Sequence, residues 1–177
     1  MPLTEQQLLR IYPNASQRAG VFVPALNRAM QRYRIDSPVR QAAFLAQIGH
    51  ESGQLRYVRE IWGPTAAQKG YEGRKDLGNT QPGDGARFKG RGLIQITGRE
   101  NYRKAGGALG LPLLDQPELL EQAEWAATSA AWWWSSNGLN ELADAGKFEQ
   151  ITRVINGGLN GQADRLALWE KAKAVLV

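Results

Sequence analysis

At 177 residues, with 42% hydrophobic and 22% charged side chains, the chain can bury a core of ordinary size, which excludes wholesale disorder. Cysteine is absent and His50 is the single histidine, so disulfides, cysteine nucleophiles and Cys-ligated or multi-histidine zinc sites are excluded, and chemistry falls to carboxylates, hydroxyls, amides and arginines. The net charge of +5 is uneven, with 17 Lys/Arg against 8 Asp/Glu in residues 1–110 and 5 against 9 in residues 111–177; such a field suits an anionic polymer such as nucleic acid, a membrane surface or bacterial wall, or else is an ordinary solvated surface.

The chain opens on Thr4-Glu5-Gln6-Gln7, a capping-box pattern that predicts a short first helix. The stretch MPLTEQQLLR lacks the apolar run of a secretion signal, and the longest apolar runs, such as Ala130-Ala131-Trp132-Trp133-Trp134, fall far below the roughly 20 residues that span a bilayer. Soluble synthesis without stable membrane insertion is expected. From Ser16 to about Tyr33, Phe22, Leu26 and Met30 recur at helical spacing beside Val23 and Ala29, predicting an amphipathic helix. Ser37-Pro38 supplies an N-cap and a first-turn proline for a third helix running to about Ser52, with Gly53 as its stop.

Residues 70–92 carry seven glycines and Pro82 without helical periodicity, which predicts a long ordered loop of the kind that walls a site. Leu93-Ile94-Gln95-Ile96-Thr97 is read as a short strand entering a helix near Arg99 to Ala105. Asp115, with Glu118 three residues on, is read as the N-cap of a helix reaching about Ser136, before Asn137-Gly138. Two more helices are predicted at about 147–156 and 162–175. No repeat or linker divides the chain, so one domain over 1–177 is expected, mainly α with a small β element at most.

His50-Glu51-Ser52-Gly53-Gln54 begins as a zinc-peptidase motif does but lacks the second histidine, and neither a G-x-S-x-G elbow nor a G-x-x-x-x-G-K-[ST] phosphate loop occurs. Metallopeptidase, serine esterase and P-loop NTPase readings lose their support. Glu51 lies at the end of an Ala-rich apolar helix, where a carboxylate must be solvated, paired or used. Glu60 follows nine residues later. Two carboxyl groups can hydrolyse a glycosidic bond, one as acid and one activating water, yet continuous helix would set this pair about 13.5 Å apart along the axis and on opposite faces. They can cooperate only if Gly53 ends the helix between them; spacing alone favours two surface glutamates.

The segment from Gly90 to Tyr102 combines glycines that admit close backbone approach with Gln95, Thr97, Asn101 and Tyr102, side chains able to hold water and sugar hydroxyls. Thr97 with Glu100 also fits a capping box, and Ile155-Asn156-Gly157-Gly158 fits a plain helix C-terminus. Of Trp132, Trp133 and Trp134, at least two are expected in the core, because three consecutive helical residues spread over about 200°. Trp62 and Tyr71, beside the glycine-rich loop, are the better cleft candidates.

Taken in order, His50-Glu51-Ser52-Gly53, Glu60, Gly90-Arg91-Gly92-Leu93-Ile94-Gln95-Ile96-Thr97-Gly98-Arg99-Glu100-Asn101-Tyr102, Ile155-Asn156-Gly157-Gly158-Leu159 and Asp164-Arg165 resemble the motif pattern of glycoside hydrolase family 19, which holds plant and bacterial chitinases and many phage endolysins. The resemblance covers about residues 38–170. It implies a lysozyme-like, two-lobed α-helical fold with a central cleft and an inverting mechanism. By matched position it implies Glu51 as general acid, Glu60 as general base and Thr97 as a holder of the attacking water. Gln95, Asn101, Tyr102, Asn156 and Arg165 would line the sugar cleft or tune the carboxylates. Ile61 follows Glu60 where many bacterial members have Asn, which leaves Glu72 as the alternative base. No cofactor and no metal are implied.

The function expected is therefore an endolysin-type glycosidase cutting the β-1,4 amino-sugar backbone of peptidoglycan, with chitinase, or a non-catalytic wall-binding module, as the alternatives. The basic charge and the lack of a signal or chitin-binding module favour the anionic wall as partner. Nucleic acid is not expected, since no nucleic-acid motif occurs. The expected setting is a monomer made in the cytoplasm of a host bacterium and acting on the wall from the periplasm. A separate holin-like, membrane-permeabilising partner would release it.

Overall fold

In the computed structural model, which describes residues 2–177, the first and third helices open on side-chain caps. Thr4 Oγ1 accepts from the Gln7 N–H at 3.1 Å and Gln7 Oε1 from the Thr4 N–H at 3.0 Å, closing the capping box of α1 (Glu5–Ile11). The amphipathic stretch forms α2 (Arg18–Arg32), burying Phe22, Leu26, Ala29 and Met30. Ser37 Oγ accepts from the Arg40 N–H at 3.2 Å to open α3 (Pro38–Glu51). The remaining helices are α4 (Ala66–Lys69), α5 (Asp84–Arg87), α6 (Arg99–Leu109), α7 (Ala123–Ser136), α8 (Leu139–Asp144), α9 (Phe148–Asn156) and α10 (Gln162–Leu176). Among the described residues the only β features are the isolated bridges Arg59 to Arg91 and Arg91 to Ile96, so the architecture is mainly α.

Three local expectations change. Residues 93–97 form a turn rather than a strand: Gln95 sits at φ 65° and the Arg91 N–H and Ile96 N–H bond back to each other's carbonyls. Asp115 is not an N-cap, because Pro117–Glu121 make a separate 3₁₀ turn and the extended Gln122 (ψ 140°) breaks it from α7. After α7 ends at Ser136 as expected, the chain turns at Asn137-Gly138 straight into α8, a helix not predicted from the sequence.

The core is built around α3, in which every residue from Ala42 to Gly49 is buried. Helix α10 lies along it, and Gly49 permits the approach, since a Cβ there would press on Tyr12 and on Leu168 of α10. On another side, Trp134 of α7 meets Phe44 edge-on at 5.3 Å, and its indole N–H donates to Asn140 Oδ1 at 3.0 Å. Truncating a filled aromatic site of this kind costs about 3–5 kcal/mol. Trp132 and Trp133 are partly buried against the same core. Residues 52–98, by contrast, are held mostly by turns and short helices.

Candidate active site

Glu51 occupies the last position of α3, where the buried helix meets its C-terminal turn. Its Oε1 accepts from Arg165 Nη2 at 2.6 Å, and the side chain is 20% exposed while that of Arg165 is 1% exposed. Arg165 also donates to Gln47 Oε1 at 2.6 Å and to the Asn160 carbonyl at 3.1 Å, and Gln47 donates onward to Thr152 Oγ1 at 2.9 Å. The result is a buried polar chain joining α3, α9 and α10. A guanidinium can be buried this way because each of its nitrogens finds an acceptor. Beside it, His50 Nδ1 lies 2.8 Å from Asp164 Oδ2, tying α3 to the first turn of α10 a second time.

The helix stops before Gly53 as the sequence predicts, but the reversal takes three successive left-handed residues, Gly53, Gln54 and Leu55, at φ 57°, 57° and 72°. Left-handed backbone is costly outside glycine. Here it is held by burial of Leu55, by its N–H bond to Ser52 Oγ at 2.9 Å, and by a bond from the Asn14 N–H to Gln54 Oε1 at 2.9 Å. The chain then returns alongside residues 90–92: the Glu60 N–H bonds the Gly90 carbonyl at 2.9 Å and the Gly92 N–H bonds the Val58 carbonyl at 2.8 Å.

Glu60 is thereby placed among donors. Its Oε1 accepts from the Gly90 N–H at 2.7 Å, and its Oε2 from Gln68 Nε2 at 3.1 Å and Tyr71 Oη at 3.3 Å. Gln68 is buried, and its amide cannot turn over because Oε1 already accepts from the Gly63 and Thr65 N–H groups. Burial, and then Glu60 itself, raise the pKa of Tyr71, which keeps that phenol a donor. Gln47 and Gln68 were not singled out from the sequence. For Gln68 a signal existed: Thr65-Ala66-Ala67-Gln68 has capping-box form, and the box is present.

Glu72 is placed differently. Both of its oxygens are occupied by backbone, the Gly83 N–H at 2.8 Å and the Gly85 N–H at 2.9 Å, and these bonds lower its pKa. It clamps the glycine-rich loop. Glu60 carries as many hydrogen bonds, so position separates the two. Glu60 borders the groove that Trp62 also lines, Glu72 borders neither that groove nor the hollow at Thr97, and Glu60 is favoured over Glu72 as the base.

Thr97 does not cap α6; the N-cap position is Gly98, and the first α6 N–H, from Arg99, bonds to Asn79 Oδ1 at 2.9 Å instead. The Thr97 hydroxyl donates to the Gln95 carbonyl at 2.9 Å, which leaves its lone pairs free to accept a hydrogen bond from water. Gly90 links Thr97 to Glu60: its N–H holds Glu60, and a Cβ there would lie 3.2 Å from Thr97 Oγ1 and closer still to the Gln95 amide. Asn101 donates to the Thr97 carbonyl at 2.8 Å. Gln95, Thr97, Asn101, Trp133 and Ile155 line a hollow of about 150 Å³; Trp133 is thus the one of the three tryptophans that borders the site.

Tyr102 needs a correction as a cleft-lining residue. It is fully buried, donates to the Lys89 carbonyl at 2.5 Å and accepts from Arg91 at 3.1 Å, so it supports the loop from beneath, and burial pushes its pKa far up. Asn156 is exposed, and its Oδ1 accepts from the Asn160 N–H at 3.3 Å at the end of α9; Ile155, not Asn156, reaches the hollow. Trp62 borders a second groove, of about 510 Å³, with Glu60, Arg56, Arg59 and Lys89, and its ring lies 6.1 Å from that of Tyr71.

A sequence model of glycoside hydrolase family 19, described as chitinase class I, matches residues 37–145, more than half of the chain. A Haemophilus influenzae protein described as containing a glycosyl hydrolase family 19 domain is 31% identical, over 96% of this chain and 94% of its own. An Arabidopsis thaliana endochitinase is 39% identical over 66% of this chain, which spans only 39% of that protein. In structure the chain is similar to chitinase C of Streptomyces griseus, with a TM-score of 0.76 at 26% identity, over 98% of this chain and 76% of that one. A class IV chitinase from Zea mays shares the fold at a TM-score of 0.62 and 24% identity, over 99% and 82% of the two chains.

Proposed function

The chain belongs to glycoside hydrolase family 19 and is a chitinase-like glycosidase with a lysozyme-like helical fold, and from that premise we propose that it cuts the β-1,4 amino-sugar backbone of bacterial peptidoglycan as an endolysin. In this reading Glu51 is the general acid. Arg165 engages Oε1, so the transferable proton rides on Oε2, which has no protein partner among the described residues. Glu60 is the base that takes one proton from water, and Thr97 Oγ1 accepts a hydrogen bond from the other O–H of that water, which fixes the direction of attack. Attack by water opposite the leaving oxygen inverts the anomeric centre, and proton NMR early in the reaction should show the α-anomer.

The observation that supports the wall over neutral chitin is charge: residues 1–110, which contribute both carboxylates, Thr97 and the groove, carry 17 basic against 8 acidic side chains. A polyanion is concentrated by such a field, and a neutral polymer is not. The endolysin would be made inside a host bacterium and reach the wall through a separate membrane-permeabilising partner.

The test is turbidity loss of outer-membrane-permeabilised Gram-negative cells beside hydrolysis of colloidal chitin and of a short neutral chito-oligosaccharide, across one salt series. Lysis should weaken as the Debye length contracts from about 30 Å at 0.01 M to about 10 Å at 0.1 M salt, while hydrolysis of the short oligosaccharide changes little. Chitin hydrolysis without lysis would make the protein a chitinase instead.

A further inference from the structure

The cations around the groove beside Glu60 are not equivalent. Arg59 and Arg91 share Glu121, at 3.5 and 2.9 Å. Arg56 is exposed, with its guanidinium 5.1 Å from the Tyr57 ring centre. Lys89 is half-buried and has no carboxylate within ion-pair distance among the described residues. Its ammonium lies 5.7 Å from the centre of the Trp62 ring, on the wall that also carries Glu60. Burial first, then Arg91 and Arg59, push its pKa below that of an ordinary lysine, against the weaker opposing pull of Glu121 and Glu60, neither of which is in contact with it.

A partly dehydrated ammonium beside two arginines is a charge the protein leaves incompletely balanced. A distant indole face answers it weakly; a carboxylate at contact distance would answer it fully. Because the ammonium shares a groove with Glu60, an anion paired with it would sit on the polymer close to the bond being cut.

We propose that this groove holds an anion subsite in which Lys89 pairs with a carboxylate substituent of the amino-sugar chain, of the kind the lactyl ether of N-acetylmuramic acid carries and N-acetylglucosamine lacks. Specificity for a substituted over an unsubstituted chain then arises at one side chain, at short range, separately from the long-range attraction of the basic surface. The inference rests on the glycosidase reading of this cleft, and a matched pair of soluble polymers separates the two. Carboxymethyl chitin is anionic and glycol chitin neutral on the same backbone.

For the full chain, kcat/KM is measured on both polymers for the wild type, Lys89→Gln, Lys89→Arg and Lys104→Gln, the last an exposed α6 lysine outside the groove. Thermal melts confirm folding. The ratio of anionic to neutral kcat/KM should fall about fivefold in Lys89→Gln, chiefly through KM, and be largely kept in Lys89→Arg and Lys104→Gln. An unchanged ratio in Lys89→Gln, or an equal fall in Lys104→Gln, overturns the subsite. A wild type that cleaves both polymers but fails to lyse permeabilised cells overturns the peptidoglycan reading alone, and the subsite then stands or falls on the ratio.

Discussion

Glu51 projects from the end of a helix buried from Ala42 to Gly49 and is held by Arg165 of α10, which also bonds Gln47. Glu60 projects from a segment, residues 52–98, in which nine residues adopt positive φ, and is held by one backbone N–H, one amide and one phenol. The first carboxylate is positioned by core packing, the second by irregular backbone whose strain is met by hydrogen bonds. Precision on the Glu51 side is therefore coupled to global stability. On the Glu60 side it depends on local bonds that can be removed without unfolding the protein.

The largest effect expected is from Glu51→Gln, which keeps size and hydrogen bonding but carries no transferable proton. Hydrolysis should fall by about 10²- to 10⁴-fold with the fold intact, and a folded variant with near wild-type rates would remove Glu51 from the mechanism. Next, Arg165→Met takes the cation from a buried network and strands Gln47 Oε1 and Glu51. Urea unfolding should show a loss of about 3 kcal/mol. A small stability change there would break the comparison, since the helical side would then not couple site to core.

On the loop side the stability element is Asp84, 1% exposed, which pairs with Arg99 through contacts of 2.8 and 2.9 Å. The Arg99 guanidinium, followed by the Gln81 N–H, holds the Asp84 carboxyl below its usual value against the opposing effect of burial. A depressed folded value means that the stabilisation is complete above the unfolded carboxylate value, about pH 4, and is lost as pH falls through the folded value. Asp84→Asn should cost about 2 kcal/mol near neutral pH and flatten the acid limb of the stability curve, as read from urea midpoints between about pH 2 and 6.

The smallest effect sharpens the contrast. Tyr71→Phe removes one of three donors to Glu60, the one at 3.3 Å, and should lower kcat by about three- to tenfold with little change in unfolding free energy. A loss of stability comparable to that of Arg165→Met would show that the two sides are not organised differently.

Much of the scaffold could be read locally. The Thr4 and Ser37 caps, the α2 and α3 periodicities, the stop at Gly53 and the left-handed Gly157 after α9 are all signals contained within a few residues, because helix initiation and termination are short-range hydrogen-bond problems. Local reading failed where a remote partner outcompeted the nearby one. Thr97 with Glu100 looks like a capping box, yet Asn79 supplies the cap and frees Thr97 toward Gly90. Tyr102 looks like a sugar-binding residue, yet Arg91 and the Lys89 carbonyl bury it beneath the loop.

The sequence by itself determined the helical class, the order of the motifs and the residue types available for acid and base. Tertiary structure decided what those residues are attached to: Arg165 on Glu51 from 114 positions away, Gly90 on Glu60 from 30, and Glu72 occupied as a loop clamp. The division is physical. A cap or an apolar stripe is selected by neighbours a turn apart, whereas the acceptor that a buried arginine or a carboxylate finds is settled only when desolvation by packing makes an unmet hydrogen bond expensive.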